Sequence, residues 1–280
     1  MVIQWYPGHM TKAKRMMEED IKLIDLVIEI VDARLPMSSR NPDIDKLSNN
    51  KARLILLNKS DLSDERANVK WMEYFKNKGF HVLEINSKSG KGVNQINSVI
   101  SEACKEKIER DRRRGIMNRP VRAMVVGIPN VGKSTFINSY AKKACTKTGN
   151  KPGVTKGKQW IKLSKSLELL DTPGILWPKF EDQQVGIKLA LLGSIKDDIL
   201  NLSELSLELI KILKENYPDV LNNRYQIGDT DDDLQILNEI ARVRGCKLKG
   251  DVLDIDKAAT LLIDDFRNGR LGRITLELPI

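Results

Sequence analysis

A glycine-rich loop able to bind phosphate lies near the middle of the chain, at 127-GIPNVGKS-134. Gly127 and Gly132 let the backbone curl so that successive N–H groups point at phosphate oxygens, and the helix expected next adds its positive amino terminus. Lys133 of such a loop neutralises β- and γ-phosphate charge, and Ser134 ligates magnesium. The residues predicted to bind a nucleoside triphosphate here are Asn130, Val131, Gly132, Lys133, Ser134 and Thr135.

Two shorter motifs downstream supply the other groups that such a site needs. The 171-DTPG-174 motif provides Asp171 to hold magnesium through water and the Gly174 N–H to contact the γ-phosphate, so this loop can sense that phosphate. Between the two motifs, 152-PGVT-155 offers Thr155 as a second hydroxyl for the magnesium. Each motif is weak evidence alone and gains weight from the phosphate loop upstream. The residues of these loops assigned to catalysis are Lys133, Thr155 and Gly174.

A motif that can read guanine, 55-ILLNKSD-61, comes before the phosphate loop. Asp61 can accept hydrogen bonds from the N1–H and exocyclic amine of guanine, a pairing that adenine lacks, which disfavours a kinase or ATPase. Asn58 can bond the base and hold the phosphate loop, while the Lys59 stem covers the ring. An isolated match of this kind is usually an ordinary turn. Here Asn86-Ser87-Lys88 follows one strand later, where GTPases place a backbone contact to the guanine oxygen.

Short aliphatic runs, each ending at polar or glycine residues, alternate with amphipathic stretches in the first part of the chain. This pattern predicts an α/β fold, a mostly parallel sheet with helices on both faces and ligands at the carboxyl ends of the strands. All the motifs above stand at such ends. The predicted strands are 25-DLVIEIVDA-33, 53-RLILLNK-59, 80-FHVLEIN-86, 121-VRAMVVGI-128 and 166-SLELLDT-172.

The order of the motifs is unusual, because a standard GTPase begins with its phosphate loop. A sheet whose termini lie at the surface can be rejoined elsewhere without changing the folded site, so the chain is interpreted as a circularly permuted Ras-like P-loop GTPase. Residues 105–122 are then the new connection. They contain eight basic and three acidic residues and fit a solvated helix, a linker or an arm that contacts RNA.

A second, all-α domain is predicted at 178–280, after a GTPase domain at 1–177 with an N-terminal arm of about twenty residues. Ser203 and Asp256 can cap two of its helices. The apolar positions predicted to share helix faces are Leu205, Leu209, Ile212 and Leu213, then Leu234, Leu237 and Ala241, then Ala259, Leu262, Ile263 and Phe266.

The net charge of +9 is concentrated in the first domain. Residues 1–177 carry 33 Lys and Arg against 19 Asp and Glu, whereas 178–280 carry 14 against 19. Such an excess attracts polyanions, nucleic acid above all, although it also fits a basic protein kept in solution by its charge. In the second domain, a local basic face of Arg267, Arg270 and Arg273 is the candidate contact with RNA.

The remaining composition predicts a cytoplasmic protein. Its first residues lack the pattern of a signal peptide, and no apolar run is long enough to span a membrane. The three cysteines, Cys104, Cys145 and Cys246, lie far apart and are interpreted as reduced, buried residues. A monomer without membrane contact is expected.

The whole chain resembles the circularly permuted GTPases of the YlqF/YawG family. Besides the motifs above, the resemblance includes 5-WYPGHMTKAK-14, 32-DARLPMSSRNP-42 and 265-DFRNGRLGRITLE-277. It implies a GTPase that acts late in assembly of the large (50S) ribosomal subunit, uses GTP and Mg²⁺, and binds 23S rRNA and ribosomal proteins of the pre-50S particle. It also implies GTP-dependent binding, hydrolysis stimulated by the particle, and a helical domain likened to the ANTAR RNA-binding domains.

The residue after the 171-DTPG-174 motif is Ile175, where Ras-like proteins have the glutamine that orients water. An aliphatic side chain cannot do this, so another group must act or intrinsic hydrolysis must be slow. His9 is one candidate, which the resemblance supports, and a potassium ion bound by Asn130 is another. Alternatively, His9 organises its segment or contacts RNA, and Asn130 only forms a turn. A GTP-dependent RNA-binding placeholder with incidental hydrolysis is the second functional hypothesis.

Overall fold

The computed structural model describes residues 8–117, 119–145, 160–172, 174–177, 180–228 and 230–279, without the side chains of His9, Asp171 and residues 142–145. These residues form two compact units. One contains the described residues up to 177 together with 277–279, and the other contains 180–276.

A six-stranded sheet is the centre of the first unit. Its strands are β1 (Leu26–Asp32), β2 (Ala52–Asn58), β3 (His81–Glu84), β4 (Val121–Val126), β5 (Trp160–Ser164) and β6 (Leu167–Asp171). All residues of β1 are buried, as expected of a central strand covered on both sides. The helices of this unit are α1 (Gly8–Asp20), α2 (Pro42–Leu47), α3 (Glu65–Asn77), α4 (Ile96–Ala103), α5 (Lys105–Arg113) and α6 (Lys133–Cys145).

The strand order across the sheet is β3-β2-β1-β4-β6-β5, and all neighbours are parallel except β5 and β6. When the strands are counted from β4, the order from the β5 edge becomes 2-3-1-4-5-6, the order of a Ras-like GTPase. The mostly parallel sheet with permuted strand order is therefore confirmed. Strands β2 and β4 flank β1 and run parallel to it. The motifs that follow β2 and β4 therefore lie together at the carboxyl ends of the strands.

The sheet has one strand more than the sequence pattern predicts. Strand β5 pairs antiparallel with β6, with an irregularity between Lys162 and Ser164. Among its five residues only Leu163 is buried, since β5 is an edge strand. The strand therefore has no aliphatic run from which the sequence could predict it.

The C-terminal residues pack with the sheet unit, although the sequence assigned them to the helical domain. The Glu277 carboxylate accepts hydrogen bonds from the backbone N–H of Met37 (2.5 Å) and Ser38 (2.8 Å) and from the Ser38 hydroxyl (2.6 Å). The Trp71 indole N–H donates to the Glu277 carbonyl at 2.9 Å. These charge-assisted bonds hold both Glu277 and the loop after β1.

The second unit is helical, as predicted. Its helices are α7 (Gln183–Leu191), α8 (Leu202–Asn216), α9 (Val220–Tyr225), α10 (Asp233–Val243) and α11 (Ile255–Arg267). The predicted caps were wrong by two residues: Asn201 caps α8 and Asp254 caps α11, so Ser203 and Asp256 lie in first turns. Leu234 is exposed, because Ile236, Leu237 and Ile240 form the buried face of α10.

Two of the three cysteines, Cys104 and Cys246, are buried free thiols, as expected. Burial raises the pKa of the Cys104 thiol to about 11, which keeps it protonated at neutral pH. None of the helices in the described part of the chain is long and apolar enough to cross a membrane.

Candidate functional site

The phosphate loop connects β4 to α6 and has the backbone that its glycines allow. The φ angles of Gly127, Asn130 and Gly132 are 153°, 64° and 97°, in the positive region that residues with a Cβ rarely adopt. A Cβ on Gly127 would lie 2.5 Å from the Ile30 carbonyl oxygen, and one on Gly132 would lie 2.4 Å from the Asn58 amide nitrogen. Both glycines are thus required by close approach to neighbouring strands as well as by the turn itself.

Lys133 begins α6 and lies over the phosphate loop. Its buried ammonium donates to the carbonyl oxygens of Gly127 (2.9 Å) and Ile128 (2.8 Å). Gly174 of the 171-DTPG-174 motif is close by, since a Cβ there would come within 2.6 Å of the Lys133 Nζ and 3.0 Å of the Pro129 nitrogen. The structure therefore brings the two phosphate-side motifs into contact around one cation.

The side chain of Asn58 connects the base-reading motifs to the phosphate loop. Its amide Nδ2 donates to the Val131 carbonyl at 2.7 Å, and its Oδ1 accepts from the Ser87 N–H at 3.0 Å. Asn58 is only 2% exposed, so neither bond has water as a competitor. One amide thus joins the loops that begin at residues 58, 86 and 127.

Lys59 is held by the phosphate loop and by Asp32, which, like its partner Arg34, had no role predicted from the sequence. Its ammonium donates to the Asn130 carbonyl (2.6 Å) and pairs with the Asp32 carboxylate (2.8 Å), while Arg34 binds both oxygens of that carboxylate at 2.9 Å. Burial alone would raise the pKa of Asp32, but the charges of Arg34 and Lys59 outweigh it and hold this pKa well below its ordinary value. Asp32 stays ionised at neutral pH.

The remaining base-side residues form a turn after β3. The Asn86 Oδ1 accepts from the N–H groups of Lys88 (2.9 Å) and Ser89 (3.0 Å), which fixes the turn. The Ser87 hydroxyl is buried without a hydrogen-bond partner among the residues described. Asp61 is exposed beyond Lys59 and can accept bonds from a ligand. The turn and the Asp61 carboxylate thus present polar groups that can form hydrogen bonds with a purine base.

The 171-DTPG-174 motif and the residues after it are anchored by hydrogen bonds. The Thr172 hydroxyl donates to the Val125 carbonyl at 2.6 Å, and the Asn41 amide donates to the Ile175 carbonyl at 3.2 Å. Ile175 is 1% exposed, so its side chain is packed away from solvent. The Leu176 N–H contacts the Met10 sulfur at 3.5 Å, which places the first turn of α1 against this segment.

Three predicted site residues lie wholly or partly outside the described structure. Thr155 and its loop are not described, and of His9 and Asp171 only the backbone is. His9 precedes Met10 in α1, and Asp171 ends β6 opposite Val125 of the phosphate-loop strand. Ser134 and Thr135 are exposed in the first turn of α6.

This arrangement can bind a guanine nucleotide, with the base near Asp61 and the phosphates at the first turn of α6. The positive φ angles of Gly127, Asn130 and Gly132, directly before the first turn of α6, give this segment the backbone expected of a phosphate-binding loop. The exposed Ser134 hydroxyl beside Lys133 fits a magnesium ligand. Fold and site together define a circularly permuted GTP-binding protein.

Comparison with known proteins agrees with this class. A family model described as a 50S ribosome-binding GTPase matches residues 122–237, a range that starts at β4 and leaves the earlier base-reading motifs outside. Ribosome biogenesis GTPase A of Bacillus cereus is 49% identical over 280 residues, covering 100% of this chain and 95% of the relative. The Thermotoga maritima protein of that name is 32% identical, covering 99% and 95%.

Solved structures of YlqF proteins are similar over nearly the whole chain. A GDP-bound YlqF has a TM-score of 0.68 at 28% identity, covering 95% of this chain and 99% of its own. A GNP-bound YlqF of T. maritima has a TM-score of 0.65 at 28% identity, covering 96% and 98%. The chain belongs to the ribosome biogenesis GTPase A (YlqF) family and is a GTP hydrolase.

The two bonds of Asn58 predict how the site responds to its loss. We expect Asn58→Ala to weaken GDP and GTP binding by about 10- to 100-fold, since two buried bonds worth about 1 kcal/mol each disappear and their partners stay unsatisfied. Titration with a fluorescent guanine nucleotide measures this. Asn49→Ala removes an exposed asparagine outside the site and should bind like the parent protein. Unchanged affinity of Asn58→Ala would mean that the amide does not organise the site.

Proposed function

We propose that this GTPase acts in late assembly of the large (50S) ribosomal subunit, as a cytoplasmic monomer that binds the pre-50S particle, 23S rRNA included, in its GTP state. The observation that carries the proposal is the Asn58 amide, which joins base-reading and phosphate loops into one site in a chain of the ribosome biogenesis GTPase A family. The basic excess of residues 1–177 supports a polyanionic partner.

Within the site, we assign guanine recognition to Asn58, Lys59 and Asp61 with the turn Asn86-Ser87-Lys88. The phosphates lie against Asn130, Val131, Gly132, Lys133, Ser134 and Thr135. Mg²⁺, held by Ser134, Thr155 and Asp171, neutralises charge on the β- and γ-phosphates when bound. Lys133 and Gly174 are in contact, and their position supports joint sensing of the γ-phosphate.

Hydrolysis needs a group that Ile175 cannot supply, because this side chain is buried and apolar. We propose two sources, His9 or a potassium ion at Asn130. The contact of Met10 with Leu176 supports His9, since it brings the first turn of α1 to the segment after Gly174. The left-handed backbone of Asn130, φ 64°, is equally explained by its turn.

Co-sedimentation with purified ribosomal subunits tests the particle proposal. We expect the protein to pellet with large subunits and their precursors in the presence of a non-hydrolysable GTP analogue, less with GDP, and little with small subunits in either state. Equal or absent association with both subunits would remove the ribosomal proposal while leaving the GTPase intact.

Single-turnover hydrolysis with and without large subunits separates an active GTPase from a placeholder whose hydrolysis is incidental. We expect the particle to accelerate hydrolysis and omission of Mg²⁺ to abolish it. If His9 orients water, His9→Ala lowers the stimulated rate by about 10²- to 10⁴-fold and His81→Gln does not. If a potassium ion performs this role instead, replacing K⁺ by Na⁺ lowers the stimulated rate of hydrolysis by a similar factor. Absence of stimulation favours the placeholder, and insensitivity to both changes contradicts both assignments.

A further inference from the structure

The connection created by the permutation, residues 105–122, contains a group of exposed arginines that nucleotide binding does not use. Residues 105–113 form α5, and Gly115, with φ 75°, turns the chain away from it. We name Arg110, Arg112, Arg113 and Arg114 the α5 arginine cluster. All four are exposed, and none forms an ion pair with a carboxylate in the described part of the chain.

The acidic residue within the cluster is already neutralised by other cations. Asp111 is buried and pairs with Lys107 at 2.7 Å and with Arg119 at 3.8 Å. Lys107 and Arg119 also reach Asp25, at 3.5 and 3.4 Å, which fixes α5 to the start of β1. Glu106 lies four residues before Arg110 and Glu109 four residues before Arg113, where they offset part of this charge, but two carboxylates against four guanidinium groups leave an excess of positive charge on a firmly held element.

A structural explanation accounts for only part of this charge. Cations in the last turn of a helix offset its dipole, but the dipole is equivalent to about half an elementary charge. Four guanidinium groups exceed that several-fold. They are followed by exposed apolar side chains, Ile116 at 42% and Met117 at 69%, so the surface is neither paired internally nor covered by other described residues.

The cluster lies at the end of the sheet opposite the nucleotide loops. The chain leads from the cluster into the start of β4, whereas the phosphate loop follows the end of that strand, and β4 itself spans roughly 20 Å at about 3.3 Å per residue. A partner can therefore bind here while GTP occupies its site.

Two of the three arginines that the sequence suggested in the helical unit, Arg267 and Arg270, are less available. Arg267 pairs with Asp197 at 2.7 Å and donates to the carbonyl oxygens of Ala190 and Leu191. Arg270 pairs with Asp264 and Asp265 at 2.8 and 2.9 Å. Both hold the fold of that unit, so their charge is already compensated.

We propose that the α5 arginine cluster is a docking surface for the phosphodiester backbone of structured RNA. This deepens the proposed function and rests on it, because the RNA would belong to the particle. Guanidinium groups form bidentate bonds to phosphate and retain their charge at all relevant pH values, which suits a contact that does not read sequence.

Salt-dependent binding to protein-free 23S rRNA tests the proposal. We expect Arg112→Gln/Arg113→Gln/Arg114→Gln to reduce affinity at least tenfold at about 0.1 M salt and to lower the slope of log affinity against log salt by about 0.7–0.9 per lost contact. Glutamine keeps helix propensity, and unchanged GDP affinity shows that the G site is intact. The triple Arg→Lys variant should keep most of the slope.

A matched control removes the same charge from α3, with Arg66→Gln/Lys70→Gln/Lys76→Gln, all exposed. It should lose much less affinity. Equal losses in both Gln variants, an equal loss in the Lys variant, or no loss in the α5 variant would overturn the docking surface. If the parent protein sediments with large subunits but does not bind free rRNA, the docking surface fails and the proposed function stands. If it binds neither subunit, the proposed function fails.

Discussion

The side-chain amide of Asn58 is the interaction on which the rest of the site depends. Its two hydrogen bonds, to the Val131 carbonyl and from the Ser87 N–H, connect segments from both sides of the permutation. Gly132 must lack a Cβ because this amide occupies the space. The order of motifs along the chain therefore does not matter to the site, since β2 and β4 end at the same edge of the sheet on either side of β1.

Residues at the end of β1 and in the loop after it form further contacts that hold the loops of the site. Asp32 at the end of β1 fixes Lys59, and the depressed pKa of Asp32 means that this support persists throughout the neutral range and is lost only in strong acid. The loop after β1 also supplies Asn41, which caps α2 and bonds the Ile175 carbonyl. Glu277 closes the loop from the far end of the chain. One loop thus touches both the base side and the segment after Gly174.

Sequence reasoning was sufficient where chemistry depends on local spacing. The strands and the motifs at their ends followed from aliphatic runs and residue spacing, and the permuted order of the sheet followed from comparing the order of the motifs with that of a standard GTPase. Strand β5 was missed because an edge strand buries little, and the caps of α8 and α11 were misplaced because several polar residues near each helix start can serve. The roles of Asp32 and Glu277 depend on partners that only the fold brings near, some of them more than 200 residues away.

We infer that Asp61, in a motif upstream of the phosphate loop, selects guanine, and the Asp61→Asn variant tests this selection. Its amide can pair with the second ring carbonyl of xanthine but not with the guanine amine. We predict that the Asp61→Asn variant loses about 100-fold or more in GTP affinity and gains binding of xanthosine triphosphate. The Asp61→Ala variant should lose GTP affinity to a similar extent but should not gain binding of xanthosine triphosphate. An Asp61→Asn variant that still prefers GTP would contradict the recognition of guanine by Asp61.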